Sequence, residues 1–395
     1  MDNHDWSSRF SAAMMGSHAT PLTMLERGEG CYVWGTNGKR YLDFLGGIAV
    51  NSLGHAHPAL VDAVTSQIAT LAHVSNYFAT PPQIELAERL KRITGAGEEG
   101  RVYFGNSGAE AMEAAFKLAR LNNDGGRRTR ILALTNAFHG RTMGALSLTG
   151  KAALRDPFGP LLAGVEHIDS TLEALEHAMD DTVAAVIFEP IKGEAGVVDL
   201  PEGFIRRARE LTTEHGALLI LDEIQTGVGR TGTWFTYEQF DIVPDAVAIA
   251  KGIAGGVPLA ALVTFGAASG LFQRGHHGST FGGNPLATAA ANAVLGEIEA
   301  SDLVANAARR GEELREIIRA IGSPLVEEVR GRGLLIGVGL TEPVANRVST
   351  AALEAGLIVN AANESSIRIA PPLIVGDVEL EEFGRLFATA LEAAK

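Results

Sequence analysis

Cysteine is almost absent. Cys31 is the single one in 395 residues, which excludes an intramolecular disulfide and a cysteine-rich zinc site and fits a reducing compartment. A basic excess is absent too. The formal net charge of −14 argues against a nucleic-acid or anionic-membrane surface, because both reward clustered cations. A small anionic ligand held by a few local arginines stays open. No apolar run reaches the roughly 18 residues of a membrane-spanning helix, and Met1 to Phe10 lacks the basic start and apolar core of a secretory signal. Neither a repeat nor a low-complexity segment is evident. These absences lead to the expectation of a cytoplasmic globular protein without nucleic-acid or membrane partners. What is present agrees: 46% apolar and 20% charged residues are ordinary for a folded chain, and the length suits two or three units.

The stretch from Leu218 to Lys251 carries the most chemistry. Leu218-Leu219-Ile220-Leu221 stops at Asp222, and Ala246-Val247-Ala248-Ile249-Ala250 stops at Lys251. Runs that are apolar throughout, rather than alternating, read as buried strands of a mostly parallel sheet. Ligands of such sheets sit beyond the carboxyl ends of the strands, so a carboxylate and an amine reach the same rim. Lys251 is then a solvated strand end or an amine held for chemistry, and Asp222 its ion-pair partner or the partner of a cationic ligand atom. One cofactor uses both charges separately: pyridoxal phosphate needs a lysine for its aldehyde and an anion beside its pyridine nitrogen.

Other segments supply candidates for the same rim. Arg101-Val102-Tyr103-Phe104 reads as a strand that turns through Gly105-Asn106-Ser107-Gly108-Ala109 into a helix to about Leu121. Ser107 with Glu110 forms a capping box, and the same helix start has open N–H groups that favour a phosphate. With the strand Ile131-Leu132-Ala133-Leu134 this predicts a right-handed βαβ unit. That strand ends at Phe138-His139-Gly140-Arg141, where Phe138 can stack on a flat ring and Arg141 can fork onto a carboxylate, or the one is buried and the other solvated. A further strand, Val183 to Phe188, leads through Glu189-Pro190 to Glu194 in a glycine-flanked loop. Ser279-Thr280-Phe281-Gly282-Gly283-Asn284-Pro285 reads as a small-residue hinge or a contact to phosphate or a second subunit. Two motifs point elsewhere. His55-x-His57 lacks a nearby third ligand, so no metal site is expected. Gly227-x-Gly229-x-x-Gly232 would suit a dinucleotide only if it followed the strand directly and opened a helix, and it does neither.

Taken together, Leu221-Asp222-Glu223-Ile224-Gln225-Thr226-Gly227, Ala250-Lys251-Gly252, Glu189-Pro190-Ile191, Asn106-Ser107-Gly108-Ala109-Glu110-Ala111, Phe138-His139-Gly140-Arg141 and the Ser279–Pro285 loop resemble, in order and over nearly the whole chain, the class III pyridoxal-phosphate-dependent aminotransferases. Gly54-His55-Ala56-His57-Pro58 and Ala114-Ala115-Phe116-Lys117 look most like the branch acting on acetylated ornithine, with Met112 departing from the Asn that branch favours.

The resemblance implies an α/β fold of the pyridoxal-phosphate-dependent transferase fold type I (aspartate aminotransferase-like). Residues 1–48 would form an arm and small sheet packed on the small domain, 49–285 a large cofactor-binding domain with a mostly parallel sheet, and 286–395 a smaller α/β domain. It implies Lys251 as the amine that carries the cofactor and shuttles the proton, and Asp222 as the partner of the pyridine nitrogen. Gln225 would meet the ring hydroxyl, Phe138 would stack on the ring, and Ser107, Gly108 and Ala109 would hold the phosphate with Thr280 of a second subunit. Arg141, Arg368, Glu194 and Ser279 would handle the substrates, a small amine and a 2-oxo acid. Glu194 would pair with Arg368 whenever the glutamate α-carboxylate is away. A homodimer with shared sites follows from the same resemblance. The rival readings are a fold relative that binds the cofactor without turnover, and a nicotinamide enzyme resting on the glycine-rich loop.

Overall fold

The computed structural model describes residues 6–17 and 19–395; the first five residues of the expected N-terminal arm, and His18, lie outside the described residues. A seven-stranded sheet forms the centre. Its strands in chain order are β1 (Arg101–Gly105), β2 (Arg130–Leu134), β3 (Val165–Ile168), β4 (Val183–Phe188), β5 (Leu218–Asp222), β6 (Ala246–Ile249) and β7 (Ala260–Thr264). In space they run β1-β7-β6-β5-β4-β2-β3. Neighbours from β6 to β3 are parallel, while β7 is antiparallel to both β6 and β1. Every residue of β4, β5, β6 and β7 is buried, which is why their sequences show no polar alternation.

Two sequence expectations are corrected here. Strands β3 and β7 are absent from the expected elements, although Ala260-Ala261-Leu262-Val263 carries the same unbroken apolar signal as β5 and β6. The expected βαβ unit is not a local one. β1 and β2 have four strands between them, so the Gly108–Leu121 helix is a crossover spanning the sheet. Its buried residues are Ala111, Met112, Ala114, Ala115, Phe116, Leu118 and Ala119, and the four alanines among them let one helix lie close across several strands. Met112 is wholly enclosed there, so it acts in the core.

Two four-stranded sheets accompany the central one. Leu25–Glu29, Tyr32–Gly35 and Arg40–Asp43 form an antiparallel set with the Thr36-Asn37-Gly38 turn, and Leu357–Ile358 adds to it in parallel. The two ends of the chain therefore share one sheet, and Phe44 stacks on Phe383 with ring centroids 4.7 Å apart. The other sheet orders Val326–Arg332, Leu335–Leu340, Ser366–Ile369 and Asn360–Asn363. His55 Nε2 donates to the Asp43 carboxylate at 2.8 Å, so it is engaged by the N-terminal sheet.

The glycine-rich segment Gly227–Gly232 is a buried turn that opens no helix. It is a crossing of two backbones. Gly333 has φ +50°, and a Cβ there would lie 2.5 Å from the Thr231 carbonyl carbon, while one on Gly232 would lie 2.9 Å from Ala308 Cβ. The spacing that resembles a dinucleotide cradle here permits contact between the large sheet and the C-terminal region. Gly333→Ala is expected to cost about 2 kcal/mol through strain and overlap, read as a lower urea midpoint at unchanged m-value. An unchanged midpoint would refute this close-packing account.

Candidate active site

Parallel pairing brings the chemistry together. Register Asp222↔Ala248 sets the carboxylate of β5 and the lysine after β6 at one edge of the sheet, beside a cavity of about 410 Å³. Asp222 is buried. One of its oxygens accepts from the Ile224 N–H at 3.1 Å, and the other meets His139 Nδ1 at 2.7 Å. His139 has no exposed side-chain surface. Burial pulls its basicity down, but the Asp222 hydrogen bond and charge, with Glu189 beyond, outweigh burial and hold it above its ordinary value. The floor of the cavity is thus a carboxylate backed by an imidazole that holds its proton more tightly than an ordinary histidine.

Glu189 ends β4. It accepts from the Phe138 N–H at 2.9 Å and the Gly193 N–H at 3.2 Å, joining the loop with the aromatic ring to the loop with Glu194. Burial, opposed by His139 and reinforced by Asp222, raises its carboxyl to about 7. Lys251 follows β6 in a left-handed backbone conformation, φ +46°, which a non-glycine residue adopts at a cost. Burial lowers it to about 8, helped by the Arg368 charge and opposed by Glu194, Asp222 and Glu189. A lysine so lowered is partly neutral near pH 7 and can act as nucleophile or base.

Ser107 caps the Gly108–Leu121 helix, its Oγ accepting from the Glu110 N–H at 3.3 Å. The capping reading and the anion-binding reading are compatible, because Ser107, Gly108 and Ala109 also line the cavity, and the first-turn N–H groups of a helix have no partner within it. Phe138 and Gln225 line the same space. Arg141 stands exposed at its mouth, its guanidinium carbon 5.7 Å from the Phe138 ring centroid. Arg368 is 1% exposed and sits behind this wall. Its Nη1 pairs with the Glu194 carboxylate and lies 3.2 Å from Gln225 Oε1, and its Nε donates to Asn360 Oδ1 at 3.1 Å. Burial pushes the Glu194 carboxyl up, but Arg368 prevails and holds it below the ordinary range.

Ser279 and Thr280 do not reach the cavity of their own chain. Ser279 Oγ accepts from the Gly282 N–H at 2.9 Å and from Asn106 Nδ2 at 3.3 Å, and Thr280 is exposed. Sequence reasoning placed His139 and Glu189 on the rim without a task. The strand-end positions were a usable signal; the pairing of His139 with Asp222, 83 residues away, had none.

An amine, a buried carboxylate and a helix start with free N–H groups are the donor chemistries pyridoxal phosphate requires, for aldehyde, pyridine nitrogen and phosphate respectively. The comparisons agree in class. The family model for aminotransferase class-III matches residues 13–391, and the chain belongs to that family: it is an aminotransferase with the expected fold type I architecture. Among its relatives, the acetylornithine aminotransferase of Streptomyces coelicolor is 51% identical over 385 residues, covering 97% of this chain and 94% of its own. That of Mycolicibacterium smegmatis is 51% identical over 388 residues, covering 98% of each. An ornithine aminotransferase structure from Toxoplasma gondii, with partial occupancy of the cofactor at its active site, superposes with a TM-score of 0.93 at 32% identity, covering 99% of this chain and 94% of that one.

Because Lys251 falls to about 8 from an ordinary 10.5, the folded cofactor-free protein binds fewer protons than the unfolded chain between those values. The lysine therefore destabilises the fold fully below pH 8, and the penalty is relieved as pH rises toward 10.5. Lys251→Met should gain stability over the parent near neutrality, with the gain shrinking as pH climbs. Urea unfolding of both cofactor-free proteins across that range checks it; a gain independent of pH would contradict the assigned shift.

Proposed function

We propose that this aminotransferase takes pyridoxal phosphate as cofactor and moves the terminal amine of N2-acetylornithine to 2-oxoglutarate, yielding N-acetylglutamate 5-semialdehyde and glutamate in arginine biosynthesis. The observation that carries the substrate assignment is the pair of arginines in different states, read beside the two relatives named above. Arg141 is open at the mouth, whereas Arg368 is masked by Glu194.

Bound pyridoxal phosphate supplies an electron sink for the carbanion formed beside the substrate amine. Lys251 Nζ would hold the cofactor and, as a free amine beside the substrate, would carry the proton from the substrate carbon to the cofactor carbon. Asp222, backed by His139, would keep the pyridine nitrogen protonated. Gln225 would meet the ring hydroxyl and Phe138 would pack on the ring. Ser107, Gly108 and Ala109 would take the phosphate, whose charge suits the helix start. Arg141 binds the acetylornithine carboxylate, or the distal carboxylate of glutamate. The glutamate α-carboxylate needs Arg368, so Glu194 must release it. With acetylornithine there is no carboxylate at that point, and Glu194 stays paired, so neither charge is left bare in a dry site.

A homodimer completes the reading. Tyr77 and Phe78 are 92% and 67% exposed and Phe281 is 60% exposed. Asn76 Nδ2 ties their two loops together through the carbonyls of Ser279 and Gly282, both at 3.0 Å. An exposed aromatic face beside Thr280 and Ser279 suits a second copy, across which these two residues would reach the other subunit's site. The expected division at residues 48 and 285 is retained in this proposal. So is a cytoplasmic setting, for which the single cysteine is one support; among the described residues no helix is long and apolar enough to cross a membrane.

Rapid loss of the visible cofactor band on mixing with N-acetylornithine, reversed by 2-oxoglutarate, is the expected result. Loss with succinyldiaminopimelate, succinylornithine, ornithine or 4-aminobutyrate alone would move the substrate and keep the chemistry. Lys251→Ala should abolish both half-reactions, and persistent turnover would refute the assigned role. Glu194→Ala should slow the acetylornithine half-reaction relative to that of glutamate by about tenfold, the scale of an uncompensated buried charge; single-turnover rates in the original proportion would remove the switch.

A further inference from the structure

The Gly227–Gly232 turn carries a side chain that the proposed chemistry does not use. Arg230 is 2% exposed, and no carboxylate is among its hydrogen-bond or ion-pair partners in the described residues. Its Nη1 donates to the carbonyls of Leu334, at 3.2 Å, and Pro371, while Nη2 is buried without a partner. A charge enclosed in this way is costly, and burial lowers even this guanidinium to about 9. Such an arrangement is weak as a device for stability alone, since an apolar side chain would avoid the desolvation.

Its partners indicate a task. Pro371 lies three residues beyond Arg368, on the segment leaving the Ser366–Ile369 strand. The Arg230 carbonyl accepts from the Leu334 N–H at 2.9 Å, so backbone and side chain grip the same region. Five residues earlier on the same turn, Gln225 Oε1 faces Arg368 Nη1 at 3.2 Å. The segment that begins at Asp222 therefore holds the Arg368 strand at two points, by Gln225 at the guanidinium and by Arg230 just past the strand end. Both hydrogen bonds leave from Nη1, so the length of the arginine side chain, which carries that one nitrogen to two carbonyls, makes the grip.

We propose that Arg230 is a positioning residue for the glutamate side of the reaction, clamping the Pro371 and Leu334 carbonyls so that Arg368 stands at the distance from the cofactor rim that an α-carboxylate requires. This rests on the role given to Arg368 above. Acetylornithine, whose carboxylate goes to Arg141, does not depend on the clamp in the same way. Displacement of a binding group by about an ångström is enough to cost orders of magnitude in rate.

The test uses the cofactor-loaded full chain with Arg230→Met, Arg230→Lys and, as reference, Arg368→Lys. Two quantities are measured: the KM of each half-reaction, and the Kd of 2-oxoglutarate for the pyridoxal form, with which it does not react. Arg230→Met should raise the glutamate KM and the 2-oxoglutarate Kd by about tenfold, the scale of a lost charged hydrogen bond, while the acetylornithine KM moves by less than about threefold. Arg230→Lys, which keeps a cation but is shorter and so reaches the two carbonyls less well, should fall between parent and Met, and its shift secures the result if the Met variant fails to fold. Equal shifts on both substrates, or none, while Arg368→Lys weakens glutamate selectively, would overturn the clamp and leave the site reading intact. If Arg368→Lys itself spares glutamate, the site reading fails and the clamp fails with it.

Discussion

The constraint on which the site depends is the burial of the Asp222 carboxylate at the end of a parallel strand. A carboxylate out of water must be hydrogen-bonded or paired, or it takes up a proton. Here the Ile224 N–H and the enclosed His139 imidazole meet that need from behind, so its charge is available to the cavity. His139 can do this because it follows the end of β2, one strand beyond β4, on a loop whose backbone is in turn held by Glu189. One buried charge thus recruits groups from three strand ends, and those contacts define the rim.

Around that carboxylate the charges alternate. Lys251 and Arg368 are flanked by Asp222, Glu189 and Glu194, and each member shifts its neighbours: Arg368 helps lower Lys251, while Glu194 opposes that shift and is itself held down by Arg368. Structural ion pairs also perturb titration, but a concentration of shifted groups around one cavity is the arrangement expected of a site built for proton transfer. The left-handed backbone at Lys251 belongs to the same pattern, since a strained conformation is retained where surrounding packing enforces it.

Much of this was legible from residue order. Unbroken apolar runs located β4, β5 and β6 because strands covered on both faces need no polar alternation. Prolines stand at the first position of the helices Pro81–Ile93 and Pro285–Ala300, because proline fits the first helical turn. Strand ends then placed Asp222, Lys251, Phe138 and Glu194 on one rim. β7 escaped only because its short run sits between two loops, where a buried strand and a linker segment look alike.

Sequence by itself determined which residue types stand at strand ends and helix starts, since periodicity and caps are local properties. It could not determine strand order, because adjacency is set by how helices cover the sheet; the crossover from β1 to β2 spans four intervening strands for that reason. Only the tertiary structure brought His139 to Asp222 and Arg230 to Pro371. Each of those contacts is a buried polar group finding its partner, and such partners are chosen by desolvation after the chain has packed, not by spacing along it.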